Sequence, residues 1–332
     1  MNSQFAARHW YRFSAISAIL FPLSLLFRLA VRVRRMLYRL GVLRTTIMPV
    51  PVIVVGNITV GGTGKTPLVL WLVRALRERG LRPGVIASGY GGTRREPAAV
   101  SASDDPRVSG DEAVLLALRA GTPVWSGPDR VGVAQALLRA HPDCDLLICD
   151  DGLQHYRLGR DLEIAVEDAR GFGNGCMLPA GPLREPPTRQ VDARIVNATH
   201  EARRGLPPGA CRMRLEPAGL YRLDRQDSIL DAAALRGKHL HAVAGIGDPG
   251  RFFATLEALG LQVTPHAFAD HHDYSACELE FDNCDAVLMT EKDAVKCAGF
   301  ARNDLYALRV EAKLDPEFVQ FLEKWLHGLK AS

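Results

Sequence analysis

The sequence predicts an α/β protein built on a doubly wound, mostly parallel sheet. A second, smaller α/β domain follows it and an apolar helix precedes it. Three observations support this reading. The segment Val52–Pro67, VIVVGNITVGGTGKTP, runs from a β-branched strand through a glycine-rich turn into Gly64-Lys65-Thr66 and a helically spaced run. Short apolar runs then alternate with amphipathic stretches of helical length, the pattern of a parallel sheet with crossover helices. Finally, residues 1–48 carry eight arginines and no acid, the first acidic residue being Glu78.

In chain order, Phe13–Phe27 is an uncharged apolar run interrupted by Pro22. It falls short of the roughly 20 residues that a spanning helix needs. Arginine-rich sequence follows it where a signal peptide would have a small-residue cleavage site. Arg28, Arg32, Arg35 and Arg39 form one stripe of a helix, flanked by Leu29, Val33, Met36, Leu37 and Leu40. Residues 1–48, with a helix over 10–44, are therefore expected to lie on an anionic membrane surface. Four arginines at about 1 kcal/mol each give roughly a thousandfold in partitioning. A helix packed on the protein's own core would explain the same pattern. A nucleic-acid arm would not require the proline-broken Leu/Phe run, so no nucleic acid is expected. Nor is an obligate protein partner.

The P-loop domain is expected over 49–220. Strands are predicted at Val52–Val55, Pro83–Ala87, Pro123–Ser126, Asp145–Cys149, Leu162–Val166, Arg194–Asn197 and Ala210–Leu215, with helices at Asp111–Ala120 and Arg130–Ala140. Gly171–Arg189 is a long Gly/Pro-rich loop, long enough to be functional. The smaller domain is expected over 221–332. Its strands are His239–Gly245, Gln262–Pro265, Ala286–Thr290 and Leu305–Leu308, and its helices Arg251–Leu259 and Pro316–Leu329. Seven cysteines without a CxxC pair indicate ordinary thiols, not a disulfide framework or a zinc site.

The chemistry is read from the 52–67 segment outwards. Thr59, Gly61, Gly62, Thr63, Gly64, Lys65 and Thr66 make a phosphate cradle. Loop amides and the helix N-terminus face an anion, Lys65 neutralises charge, and the Thr66 hydroxyl can hold Mg2+. The fold expectation is thus P-loop NTPase-like, although strict GxxxxGK[ST] spacing would put glycine where Thr59 stands. Asp150 and Asp151 end an apolar strand, as metal-binding acids beside a P-loop do. Asp111 and Glu112 open a helix, where dipole complementation alone would account for them. In Ala269–Tyr274 (ADHHDY), adjacent histidines point apart and lack a third metal ligand, so a His–acid pair is favoured over a metal site. Thr290-Glu291-Lys292-Asp293 lacks the spacing of a guanine-reading motif.

Taken in order, VVGNITVGGTGKTP (54–67), GYGG (89–92), GDEAVLLA (110–117), DRVGVAQAL (129–137), DDGLQH (150–155), LPAGPLREP (178–186), DHHDY (270–274) and MTEKDAVK (289–296) resemble the tetraacyldisaccharide 4'-kinases of lipid A synthesis. The resemblance spans nearly the whole chain. It implies transfer of the ATP γ-phosphate, with Mg2+, to the 4'-hydroxyl of a tetraacyl glucosamine disaccharide 1-phosphate. The setting it implies is the cytoplasmic face of a Gram-negative inner membrane, with two domains closing on the nucleotide. By motif, Asp111 would be the base, paired with His271, and Lys65 would hold phosphate. Thr66, Asp150 and Asp151 would hold the metal, and Glu112, Arg130, Gln154 and His155 would line the cleft. Ser88 stands where the family has arginine, leaving that contact absent or supplied by Arg94 or Arg95. Two other readings carry distinct signatures. A P-loop nucleotide switch or metallochaperone would show guanine and metal motifs, which are missing. A soluble small-metabolite kinase would pack its N-terminal helix internally.

Overall fold

The computed structural model describes residues 9–198, 206–300 and 302–331. Residues 1–8 of the basic segment, with Arg8, lie outside the described residues. The first long helix, α1 (Ala15–Arg39), is capped by Ser14 and continues through Pro22. The proline was expected to break the run, since it removes an intrahelical donor. Contacts with the body hold the helix on both sides of it. Ser24 donates to Met177 O (2.8 Å), Trp10 Nε1 to Pro179 O (3.1 Å), and Asn174 Nδ2 approaches Ser17 Oγ (3.3 Å). Further along, Phe27 and Val31 pack on the core, Arg35 lies 3.9 Å from Glu185, and the Tyr38 and Tyr156 rings sit 5.7 Å apart. With 25 residues, α1 is long and apolar enough to cross a membrane by length and composition. It is nevertheless fastened sideways along much of its length.

Past α1 the chain forms β1 (Val52–Gly56), α2 (Lys65–Glu78), β2 (Pro83–Ala87), β3 (Ala98–Ala99), α3 (Pro106–Ser109) and α4 (Asp111–Ala120). Then come β4 (Val124–Ser126), α5 (Arg130–Ala140), β5 (Leu146–Asp150), β6 (Leu162–Asp168) and β7 (Ala193–Asn197). The hairpin of β8 (Ala210–Arg222) and β9 (Arg225–Leu230) leads to β10 (Leu240–Ala244), α6 (Pro249–Ala258), β11 (Val263–Ala267) and β12 (Ala286–Thr290). Next are α7 (Glu291–Cys297), β13 (Leu305–Leu314) and α8 (Pro316–Ala331). Helices on both faces of a mostly parallel sheet are the predicted class.

The strands join in the order β11-β10-β12-β13-β8-β7-β6-β1-β5-β2-β4-β3, with β9 on β8. β1 lies between β5 and β6, and every one of its residues is buried. Ile53 and Val55 face a cluster with Leu68, Leu72 and Leu76 of α2. Val52 and Val54 face the opposite cluster, with Val133 and Leu137 of α5. A strand covered on both faces reads as a continuous apolar run, which is why VIVV was legible.

The two halves meet where β8 and β13 pair antiparallel, from Tyr306 opposite Arg222 to Leu314 opposite Met213. The sequence reading ends these strands at Leu215 and Leu308, short of both; β8 continues through Pro217 and Gly219, residue types that weaken a strand. The ladder shifts register between Leu308 and Val310, opposite Leu220 and Pro217, and Gly219 there takes φ +100°. A bulge at these residues lets the strand continue. From β13 the chain returns to the first half, where Phe318, Leu322 and Leu326 of α8 enter the same cluster as α2.

Candidate active site

The phosphate cradle is built locally. Gly61 and Gly64 occupy left-handed backbone at φ +106° and +95°. A Cβ on Gly64 would stand 2.6 Å from Asn197 Nδ2. Thr59, by contrast, is buried in an isolated bridge to Leu183, and Val60 N–H donates to Pro182 O (2.8 Å). The loop is pinned at this point and needs no left-handed turn, which accounts for the non-glycine. Asn197 Nδ2 donates to Thr63 O (3.0 Å), and Arg251 Nη2 in turn donates to Asn197 Oδ1 (2.7 Å). One residue of the second half thereby braces the loop.

Lys65 Nζ lies 3.6 Å from Asp151 Oδ1. Asp151 adopts φ +52° and accepts from Arg184 Nη1 on both oxygens at 3.0 Å. Burial pushes its carboxyl upward, but Lys65 and then Arg184 hold it below the ordinary range. Asp150, at the tip of β5, differs. Burial, then the Glu112 charge, raises it to about 7, and its Oδ1 has no hydrogen-bond partner among the described residues. Gln154 Nε2 donates to Asn57 O (3.1 Å), and Arg130 Nη1 to Gly127 O (2.7 Å). Burial and then Arg130 keep His155 neutral, with its pKa lowered to about 4.

A second cluster is assembled from distant segments. His271, in left-handed backbone at φ +61°, places Nδ1 2.9 Å from Asp111 Oδ2. Asp111 is 5% exposed, and its Oδ1 accepts from the Glu112 N–H (2.8 Å). Burial raises its pKa, yet the hydrogen bond from His271 and then the Lys292 charge bring it below the usual carboxylate value. Lys292 Nζ meets Glu112 Oε1 (3.2 Å), Asp270 Oδ1 (3.4 Å) and His271 Nε2 (3.2 Å). The neighbouring histidine faces away, His272 Nε2 lying 3.0 Å from Glu278. Thr290 caps α7 by accepting from the Asp293 N–H, a structural use for that motif.

Between the clusters lies a cleft of about 340 Å³, lined by Gly62–Thr66, Glu112, Asn197, Asp248, Arg251, Asp270 and Lys292, with Leu70, Ile246, Phe252 and Leu308 among its apolar residues. Thr59, Gly61, Asp150, Asp151, Arg130, Gln154 and His155 are not part of this lining. The last three surround the Asp150–Asp151 end of the site, where Arg130 and Asp151 bear on the His155 charge. Asp111 and His271 reach the cleft through Glu112 and Lys292. Sequence reading had given no role to Lys292, Asp270, Arg184 or Asn197, although the first three lie in quoted motifs. Arg94, offered as a substitute for the arginine missing at 88, is occupied by Ala99 O (2.8 Å) and Asp104 (3.2 Å), and Arg95 is exposed.

Amide donors, Lys65 and the α2 N-terminus suit a polyphosphate, and a carboxylate–imidazole pair sits beside them. A glycine loop at the tip of a central parallel strand, running into a helix N-terminus, defines the class: an α/β protein with a candidate phosphate site. The family model described as LpxK, tetraacyldisaccharide-1-P 4'-kinase, matches residues 16–327. The tetraacyldisaccharide 4'-kinase of Azoarcus sp. is 48% identical over 97% of this chain and 96% of its own length. That of Alkalilimnicola ehrlichii is 51% identical over 93% and 92%. The crystal structure of LpxK from Aquifex aeolicus in complex with ATP superposes with a TM-score of 0.79 at 30% identity, covering 94% of this chain and 98% of that one. The chain belongs to the tetraacyldisaccharide-1-P 4'-kinase family. It is a phosphotransferase of lipid A biosynthesis.

Proposed function

We propose that the cleft transfers the γ-phosphate of ATP to the 4'-hydroxyl of a tetraacyl glucosamine disaccharide 1-phosphate at the cytoplasmic face of the inner membrane. Phosphoryl transfer requires in-line positioning and charge neutralisation more than covalent help from the protein. Lys65 and the amides of Gly61–Thr66 would hold the phosphates, and the apolar end of the cleft the base. Asp111, kept ionised and aimed by His271, takes the sugar hydroxyl proton. Glu112 lines the acceptor path, and Arg130, Gln154 and His155 the Asp150–Asp151 end of it. Segments 49–220 and 221–332, the latter lending α8 to the core of the former, act as two lobes closing on the nucleotide.

The residues present fit Mg2+. Asp150 offers a buried oxygen without a hydrogen-bond partner, Thr66 a hydroxyl and Asp151 a second carboxylate, the sparse oxygen set Mg2+ accepts when phosphates complete its shell. When bound, the ion would neutralise charge on the phosphates.

Membrane association is supported by where apolar surface is left uncovered. Of sixteen exposed large hydrophobic residues among the described ones, thirteen fall between Phe13 and Ile47. Each gains about 1.5–3 kcal/mol when fully removed from water. α1 therefore reads as a helix lying flat in the interface, with its arginines toward anionic headgroups.

The observation that carries the reaction is the Asp111–His271 pair beside the P-loop cleft. Transfer of labelled γ-phosphate to the tetraacyl disaccharide phosphate tests it. Wild type should label the lipid, and Asp111→Ala should lose about 10²–10⁴-fold in kcat. Labelling of soluble sugars alone would overturn the lipid-kinase reading; undiminished Asp111→Ala would remove only the base assignment.

A further inference from the structure

Lys292 keeps its side chain 18% exposed yet touches two separate segments through three residues: Glu112 of the first half, and Asp270 and His271 of the second. An ammonium has donors and no acceptor. A ring nitrogen 3.2 Å from it must therefore present a lone pair, so His271 Nε2 is the acceptor and its proton resides on Nδ1. That proton points at Asp111 Oδ2, 2.9 Å away. The other Asp111 oxygen is fixed by the Glu112 N–H. We propose that Lys292 is a positioning residue, which sets the His271 tautomer and through it the aim of the Asp111 carboxylate. The inference rests on the kinase reading above for its consequence in turnover, but not for the tautomer itself.

The geometry separates this role from simple charge pairing. Two carboxylates take two of the three ammonium donors, at 3.2 and 3.4 Å, and the imidazole nitrogen takes the third, so the ring is held by a directed bond and not by charge. Without the ammonium, Asp111 alone favours the proton on Nδ1, while Asp270 Oδ1, 3.9 Å from Nε2, competes to draw it there. With the proton on Nε2, Asp111 would face a bare Nδ1 lone pair and lose the donor that orients it. Lys292 also lines the nucleotide cleft. A direct phosphate contact is thus the rival role, and it predicts a different kinetic signature.

The test uses the full chain with histidine-selective ¹⁵N NMR at neutral pH, alongside steady-state kinetics. Wild type should show His271 protonated at Nδ1 and bare at Nε2. Lys292→Met should show mixed or reversed tautomers and lose about 10–100-fold in kcat, with the KM for ATP within about twofold. Lys292→Arg, which restores a cationic donor, should recover most of the tautomer signal and at least part of the rate. An unchanged tautomer in Lys292→Met overturns the proposal, and so does a loss confined to the KM for ATP. The NMR readout needs no turnover. A wild type that transfers no phosphate would therefore fail the kinase reading while leaving the Lys292 assignment to stand or fall on the spectra.

Discussion

The two sides of the cleft are built on different principles. The phosphate cradle is one continuous piece of chain, a strand, a glycine loop and a helix N-terminus within residues 52–66. The carboxylate–imidazole cluster joins Asp111 to His271 across 160 positions and Glu112 to Lys292 across 180. The cradle's geometry is set by local backbone. The cluster exists only while the β8–β13 joint holds the two halves together. One side therefore breaks through residues that touch the ligand, while the other is also exposed to changes in how the halves meet.

The sharpest test of the cradle is Lys65→Met. Removing a preorganised charge from the proposed phosphate site should lower kcat/KM by about 10²–10³-fold, with the melting temperature little changed because Arg184 still pairs with Asp151, as single-turnover assays and calorimetry would show. A loss of stability matching the loss of activity would mean that the cradle is not self-contained.

At the other end of the first half, His155 links the site to pH. Its folded pKa of about 4 lies below the unfolded value near 6.5. The unfolded chain thus binds the proton first as pH falls, so stability is level above 6.5 and drops between 6.5 and 4. Urea melts should show about 2 kcal/mol lost to this group at pH 5, and His155→Gln should remove that component.

Gly64→Ala brings the two regions together. The Cβ would meet Asn197, the relay to Arg251 of the second half, and the backbone is left-handed. Destabilisation of about 1–3 kcal/mol is expected, together with weakened ATP binding by calorimetry. The smallest effect belongs to the exposed bridge between the halves, Arg107 to Asp273 at 2.9 Å. Arg107→Ala should leave the melting temperature essentially unchanged and kcat within about twofold. A large loss there would show that closure depends on surface charge and not on the sheet joint.

The same contrast governs what could be read from the sequence. VIVVGNITVGGTGKTP declares its chemistry because every residue it needs is a neighbour. Asp111 taken alone was indistinguishable from a helix-dipole acid, and only the family resemblance paired it with His271. Lys292 lay in a motif tested against guanine recognition and set aside, since nothing local says that its ammonium ends on an imidazole. The full length of β8, through Pro217 and Gly219, was illegible for a related reason: a bulge is visible only once the partner strand is known. Thr59 looked like a flaw in the loop until its bridge to Leu183 appeared.

The sideways fastening of α1 has a mechanical consequence. Trp10 and Ser24 hydrogen-bond to the loop around Met177 and Pro179, and Arg170, beside the cradle at Gly62, lies over the Tyr11 ring. On the bilayer proposed above, a helix held in this way would act as a keel and fix the draught of the whole body. The height of the cradle above the lipid surface would then be a constant of the fold. The sugar headgroup would have to rise to meet it, while the acyl chains stayed in the membrane.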